Sequence, residues 1–234
     1  MKEKLAVITP RTTARGSSIN VLIVTYSRFG VLKLMAEYIA DGARSVPGVD
    51  VHLIEVEDLP IDILRPGESQ TDHVLRRGVL MERIAGADAL IVGAPAYFGS
   101  MASPVKRFFE DCLTAESAPP AIDRSRPWRH NALRDTVGAA FTASGTPHGG
   151  NELALHSILT LFMHLGMIVV TPGQGQPILS NPAAPYDATA ITGASGDDLP
   201  TAEEQEAARA LGVRVARVAS WVSLGRTEWE GSHF

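Results

Sequence analysis

The sequence predicts an α/β fold: a doubly wound parallel sheet of five strands with helices on both faces. From residue 20 onward, strand-like and helix-like segments alternate. The strand-like runs are apolar without alternation, which is typical of strands covered on both faces. A strand–helix–strand series of this kind forms a parallel sheet. No internal repeat or linker interrupts the series, so we expect one domain over residues 20–224, an N-terminal extension over 1–19 and a C-terminal tail over 225–234.

The five predicted strands are short apolar runs bounded by polar residues or turns. They cover residues 21–25, 51–56, 89–94, 136–142 and 167–171. Two long irregular stretches, 115–133 and 172–200, lie outside them. Long loops at strand ends usually shape a site rather than a core.

The helices are predicted from apolar spacing and from their end signals. After the first strand, Leu34, Met35, Tyr38 and Ile39 recur at helical spacing. The second predicted helix covers residues 74–84, with Leu75, Val79 and Ile84 facing inward. The third begins with Ser103 as N-cap and Pro104 as first helical residue, and the fourth covers residues 152–165 and ends at Gly166. The last helix begins with a capping box from Thr201 to Glu204. Cys112 is expected to pack in the core.

Composition limits the class of protein. The net charge of −5 and the lack of a basic cluster argue against a nucleic-acid partner. No apolar run approaches the ~18 residues needed to span a bilayer, so no membrane insertion is expected. The single cysteine, Cys112, fits a reducing cytoplasm, and the seven histidines show no metal-ligand spacing.

The loop after the first strand predicts an anion site. In an open parallel sheet, ligands bind beyond the carboxyl ends of the strands. Free amides at a helix N-terminus suit a phosphate, Ser27 adds a hydroxyl, and Gly30 allows close backbone approach. The alternative is an ordinary N-cap serine with a turn glycine. This first loop consists of Ser27, Arg28, Phe29, Gly30, Val31 and Leu32.

Two more loops at strand ends carry candidate binding residues. The second loop has two adjacent aromatic residues, which favour a flat ligand, although a local hydrophobic staple is the alternative. It consists of Pro95, Ala96, Tyr97, Phe98 and Gly99. The third loop, residues 144–150, offers hydroxyl and amide groups from Ser144, Gly145, Thr146, Gly149 and Gly150. A phosphate site, an aromatic loop and a donor-rich loop together describe a mononucleotide with a flat ring, and FMN fits best.

The motifs YSRFG, GAPAYFGSM, TASGTPHGG, MHLGMIV and PYDAT, in this order, resemble the WrbA-type NAD(P)H:quinone oxidoreductases of the flavodoxin-like superfamily. The resemblance implies that the first loop holds the FMN phosphate and that the ring lies against the second loop and residues 144–146. It also implies hydride transfer from NAD(P)H through flavin N5 to a quinone, and a homo-oligomer, namely a tetramer. A one-electron flavodoxin-type carrier and a non-catalytic binding protein are the alternatives.

The chain departs from the family at three places, of which one is the third loop, longer by one residue through Pro147 and His148. Tyr97 stands where the family has arginine, and the family's Gly-Gly-Leu-Trp segment is absent, with Trp128 as the candidate replacement for its tryptophan. His164 matches a histidine that lines the family's pocket and is the candidate catalytic residue. The alternative for His164 is an interaction with its own helix dipole. The polar N-terminal extension is expected to order against a second subunit.

Overall fold

The chain forms one twisted sheet sandwiched between two layers of helices. The computed structural model describes residues 18–58, 63, 65–112, 133–173 and 185–233. The strands are β1 (Ile19–Thr25), β2 (Val49–Glu55), β3 (Ala89–Tyr97), β4 (Ser100–Met101), β5 (Val137–Ser144), β6 (Ile168–Val169) and β7 (Ala188–Ile191). The strand order is β2-β1-β3-β5-β6, and β7 also pairs with β5. All of these pairs are parallel. The short strand β4 pairs with β3 in the antiparallel direction. The predicted doubly wound fold is confirmed.

The central strands are buried on both faces, as their unbroken apolar runs predict. Along β1, Val21 and Ile23 belong to one core cluster and Leu22 and Val24 to the other. Side chains alternate across a strand, so the two clusters lie on opposite faces of the sheet. All four side chains are at most 2% exposed. Such a strand can only sit in the middle of a covered sheet.

The edge of the sheet differs from the prediction of one strand over residues 167–171. The edge position beside β5 is divided between two short strands, because β6 pairs with Val137 and Gly138 while β7 pairs with Phe141 to Ser144. The strand β7 lies inside the stretch that the sequence predicts as irregular. Between the two strands, the Ala140 N–H donates to the carboxylate of Asp187 at 2.8 Å, and this side chain replaces the missing backbone partner.

The five helices are α1 (Val31–Arg44), α2 (Gln70–Gly86), α3 (Ser103–Cys112), α4 (Asn151–His164) and α5 (Ala202–His233). Helices α1 and α5 pack directly on each other: a Cβ on Gly212 would lie 2.0 Å from the Ile39 carbonyl oxygen. Cys112 is 2% exposed and packs in the core, as predicted.

The inward face of α2 was predicted incorrectly. Ile84 is buried, but Leu75 and Val79 are 61% and 50% exposed. The buried stripe instead runs through His73, Leu80 and Ile84. His73 lies inside because it belongs to a polar cluster with Glu68 and Arg76, in which Arg76 Nη2 lies 3.0 Å from His73 Nδ1.

Helix α5 begins at the predicted capping box. The Glu204 N–H donates to Thr201 Oγ1 at 3.2 Å, and the Thr201 N–H donates to Glu204 Oε2 at 2.8 Å. The helix continues through His233 and so includes most of the predicted tail, residues 225–234. Within the described part of the chain, no helix is long and apolar enough to cross a membrane. Residues 1–17 and Trp128, on which two predictions rest, lie outside the described residues.

Candidate functional site

Three loops from the carboxyl ends of β1, β3 and β5 meet around one open cavity of about 270 Å³. These are the three loops that the sequence predicts as the cofactor site. Of their predicted residues, the cavity is lined by Ser27, Arg28, Phe29, Val31, Leu32, Pro95, Ala96, Tyr97, Ser144 and Gly145. The parallel register of β1, β3 and β5 places these strand ends side by side, which explains the convergence.

The first loop has the geometry of a phosphate cradle. The Leu32 N–H donates to Ser27 Oγ at 3.2 Å, which leaves the hydroxyl proton of Ser27 available for a ligand. Among the described residues, the backbone N–H groups of Arg28, Phe29, Gly30 and Val31 have no hydrogen-bond partner. Gly30 has φ +90°, and no atom lies within 4 Å of the position that a Cβ would take. Free donors around open space at a helix N-terminus suit a phosphate group.

The second loop presents its aromatic residues outward rather than as a staple. Tyr97 lines the cavity and is 37% exposed, while Phe98 is fully exposed at φ +52°. A hydrophobic staple requires burial against the following helix, and Phe98 has none. Gly99 faces the start of α4, because a Cβ on Gly150 would lie 3.0 Å from the Gly99 Cα. The second and third loops therefore support each other.

The third loop contributes its first residues to the cavity and its last ones to packing. Ser144 Oγ donates to the Thr146 carbonyl oxygen at 2.7 Å, and the Gly149 N–H donates to the same oxygen at 2.9 Å. These bonds fold the loop into a tight turn. Gly149 and Gly150 lie behind this turn, where a Cβ on Gly149 would contact Ser144. Thr146, Gly149 and Gly150 thus shape the loop without lining the cavity.

The sequence prediction missed a fourth loop, residues 192–196, which follows β7. The cavity is also lined by Thr192, Gly193, Ala194, Ser195 and Gly196. Two signals for it were present in the sequence: the glycine-rich end of the irregular stretch 172–200 and the capping box directly after it. The strand that delivers the loop, β7, is only four residues long, so its apolar pattern is too short to be distinguished from loop.

The chain does not bring His164 to its own cavity. His164 is exposed and ends α4, whereas the third loop precedes the first residue of that helix, Asn151. A helix of this length separates its ends by about 20 Å. The imidazole does lie in the last turn, where the helix dipole favours a positive charge. Any contact of His164 with a cavity of this kind requires a second copy of the chain.

Tyr26 ties the cradle to the loop after β2. Its hydroxyl donates to Asp58 Oδ1 at 2.9 Å. Burial, followed by this hydrogen bond, raises the pKa of Tyr26 above its ordinary value of 10.0. The phenol therefore keeps its proton and remains a donor to Asp58. This contact holds the residue directly before Ser27 in place.

A second cavity, of about 230 Å³, lies between the end of β2 and helices α2 and α3. It contains no residue of the predicted loops, and two of its arginines are paired. Arg65 lies 2.7 Å from Glu57, and Arg76 lies 2.7 Å from Glu68. Arg76, followed by the Arg65 backbone, holds the pKa of Glu68 at about 2. The charges of Arg65 and Arg76 are therefore compensated, while Arg83 and Arg107 also line this cavity. Among the described residues, no group of His, Cys, Asp or Glu could hold a metal ion.

Comparison with known proteins identifies relatives along most of the chain. The family model for NADPH-dependent FMN reductases matches residues 21–176. A protein of Acidovorax ebreus (strain TPSY) named NAD(P)H dehydrogenase (quinone) is 37% identical over 86% of this chain and 96% of its own length. A protein of Rhodopseudomonas palustris (strain HaA2) with the same name is 35% identical over 85% of this chain and 96% of its own length.

A solved structure confirms the fold independently. The structure of a flavodoxin, WrbA-like protein from Agrobacterium tumefaciens superposes with a TM-score of 0.58 over 87% of this chain and 99% of its own. Its sequence identity of 24% limits this comparison to the fold. The family match, by contrast, extends over the first three loops that line the cavity. The chain therefore belongs to the family of NADPH-dependent FMN reductases and has a flavodoxin-like fold, and the two relatives above are named NAD(P)H dehydrogenase (quinone).

Proposed function

We propose that this protein is an FMN-dependent NAD(P)H:quinone oxidoreductase. The observation that carries the proposal is the convergence of the first three loops on one cavity whose first wall is an open phosphate cradle. The named relatives supply the reaction, since both are NAD(P)H quinone dehydrogenases. Because Cys112 is the only cysteine and no disulfide can form within the chain, we propose the reducing cytoplasm as its location.

FMN, when bound, would supply the redox chemistry, namely a hydride transfer from NAD(P)H through N5 to the quinone; the hydroquinone product contains that hydride and one further proton. The first loop would hold the phosphate through the Ser27 hydroxyl and the free amides of Arg28 to Val31. Tyr97 would flank the ring from one side. Gly145, which lines the cavity, would offer its backbone N–H to the other end of the ring. NAD(P)H and the quinone would bind in turn at this open cavity, in a two-electron ping-pong reaction.

The catalytic role proposed for His164 requires an assembly. His164 lies at the far end of α4 from its own cavity, so it would orient or protonate a quinone only in the cavity of a neighbouring subunit. The fully exposed Phe98, next to the partly exposed Tyr97, supports such a neighbour, because aromatic residues are enriched in protein interfaces. We propose a homotetramer.

Light scattering tests this assembly. We expect the full chain to have the molar mass of a tetramer. If the extension contacts a second subunit, a chain that begins at Ser18 should form a weaker assembly. Phe98→Ala should shift the equilibrium toward monomer, whereas Trp229→Ala, which removes an exposed aromatic far from the cavity, should not. A full-length chain that is monomeric and has normal quinone reductase activity would exclude the assembly and the proposed role of His164.

Replacing Ser27 tests the cradle. We expect Ser27→Ala to weaken FMN binding by about 1.5–3 kcal/mol, the typical contribution of a hydrogen bond to a charged group. Riboflavin, which lacks the phosphate, is the control: its Kd should not change in a fluorescence titration. The free energy of unfolding without flavin should fall by about 1 kcal/mol, because the Leu32 N–H also loses its acceptor. An unchanged FMN affinity would remove Ser27 from the cradle.

The reaction itself is tested on the purified protein. We expect a yellow protein whose flavin absorption bleaches when NADPH or NADH is added without oxygen and returns when a quinone is added. A stable one-electron form of the flavin on photoreduction, without bleaching by NAD(P)H, would indicate an electron carrier instead. A colourless protein that does not take up added FMN would indicate a non-catalytic binding protein.

A further inference from the structure

We infer that the fourth loop, residues 192–196, binds the ribityl chain of FMN and that Glu204 is its positioning residue. This inference rests on the FMN pose of the proposed function. It adds a binding element and a positioning residue that the first three loops do not include. The evidence is the path of the loop, the way in which its two ends are held, and the polar groups that it presents.

The fourth loop spans the two ends of the proposed cofactor. At one end, a Cβ on Gly145 of the third loop would lie 3.0 Å from the Gly193 carbonyl oxygen. At the other end, a Cβ on Gly196 would lie 3.0 Å from the ring of Phe29 in the first loop. The first loop faces the phosphate and the third loop faces the flavin ring. The part of FMN that joins phosphate to ring is the ribityl chain, so the fourth loop lies beside that chain.

The loop is fixed at both ends by one carboxylate. The Ile191 N–H donates to Glu204 Oε1 at 2.9 Å, and the Thr201 N–H donates to Glu204 Oε2 at 2.8 Å. Ile191 precedes the loop and Thr201 follows it. The Thr192 N–H also donates to the Ser144 carbonyl oxygen at 2.9 Å, which joins the fourth loop to the third. Glu204 thus uses both carboxylate oxygens to close the segment from Ile191 to Thr201.

The loop offers the chemistry that a polyol needs. Ribityl hydroxyls both donate and accept hydrogen bonds, and serine hydroxyls match them. Ser195 lines the cavity, is exposed, and among the described residues forms no hydrogen bond. Asp198 lies behind the loop, where its N–H donates to the Thr192 carbonyl oxygen at 3.0 Å. The loop therefore presents a free hydroxyl on a backbone that is already held in place.

Three flavins and three variants test the inference. FMN, riboflavin and lumiflavin share the ring, but riboflavin lacks the phosphate and lumiflavin lacks the whole ribityl chain. We expect Ser195→Ala to raise the Kd of FMN and of riboflavin by the same factor, about fivefold for one neutral hydrogen bond. Glu204→Gln, which leaves only one acceptor for two N–H groups, should raise both by about tenfold. Neither variant should change the Kd of lumiflavin.

Glu203→Gln is the matched control, because Glu203 lies in the same first turn of α5, is exposed, and does not bond the loop. It should leave all three Kd values unchanged. The melting temperature of each variant is measured without flavin, and the titrations are made well below it, so that a loss of folding is not mistaken for a loss of binding. The inference would be overturned if the variants lost as much affinity for lumiflavin as for FMN, or if they lost affinity for FMN alone. It would also be overturned if both Ser195→Ala and Glu204→Gln kept the wild-type affinity. A wild-type chain that binds FMN but reduces no quinone would end the proposed function and leave this inference standing, whereas a chain that binds no FMN ends both.

Discussion

Gly30→Val is expected to abolish FMN binding. Gly30 has φ +90°, a conformation that a β-branched residue avoids, and its missing side chain leaves open the space of the cradle. A valine there would both twist the first loop and occupy the place of the phosphate. Since each charge-assisted hydrogen bond to the phosphate contributes about 1.5–3 kcal/mol, losing two of them raises the Kd at least about 100-fold. The flavin content of the purified variant and a fluorescence titration measure the effect.

Gly48→Val is the matched control for this substitution. Gly48 also has a positive φ, +76°, and a Cβ added there would also meet no atom within 4 Å. It lies in the turn before β2, where its carbonyl oxygen accepts from the Ile19 N–H, at the end of the sheet opposite the cradle. Both variants carry the same kind of backbone strain, so both should lose stability, but only Gly30→Val should lose the cofactor. A fully yellow Gly30→Val protein would show that the phosphate binds elsewhere.

The sequence predicts that the three loops converge because few signals are needed to place them on the sheet. Apolar runs such as residues 21–25 and 89–94 identify the central strands, and the polar residues directly after them must then meet at one edge of the sheet. Ser27, Tyr97 and Ser144 can therefore be assigned to one site from their positions after these strands, without any measured distance. The pattern alone already favours FMN, and the resemblance to the WrbA family adds NAD(P)H and a quinone as the substrates.

The parts that the sequence did not predict depend on long-range contacts. The strand β7 is four residues long and is recognised as a strand only because it pairs with β5. The fourth loop depends on β7 and was missed with it. Helix α2 was assigned the wrong inward face because His73, a polar residue, is buried beside Glu68 and Arg76. In each case a tertiary partner decides the outcome, and local periodicity carries no information about it.

The gap between β6 and β7 should make the stability of the protein depend on pH. Asp187 is fully buried there, its Oδ2 accepts from the Ala140 N–H, and its Oδ1 has no partner among the described residues. Burial raises the pKa of Asp187 well above its ordinary value of 3.8, and the bond from Ala140 offsets only part of this. The unfolded chain releases the proton near pH 3.8, whereas the folded chain retains it to a higher pH. This carboxyl group therefore costs stability as pH rises from about 4 toward its folded pKa.

Asp187→Asn is expected to remove this cost, because the amide still accepts from the Ala140 N–H and never ionises. The difference in unfolding free energy between the variant and the wild type should be smallest below pH 3.8. It should then grow in favour of the variant by about 1.4 kcal/mol per pH unit, and level off once the pH exceeds the folded pKa. Asp197→Asn, at an exposed position in the segment after the fourth loop, is the control and should follow the wild type at every pH. Urea denaturation between about pH 4 and 8 provides the comparison. If the curves of Asp187→Asn and the wild type run parallel over that range, Asp187 does not carry the pH dependence, and the gap in the sheet tolerates its charge.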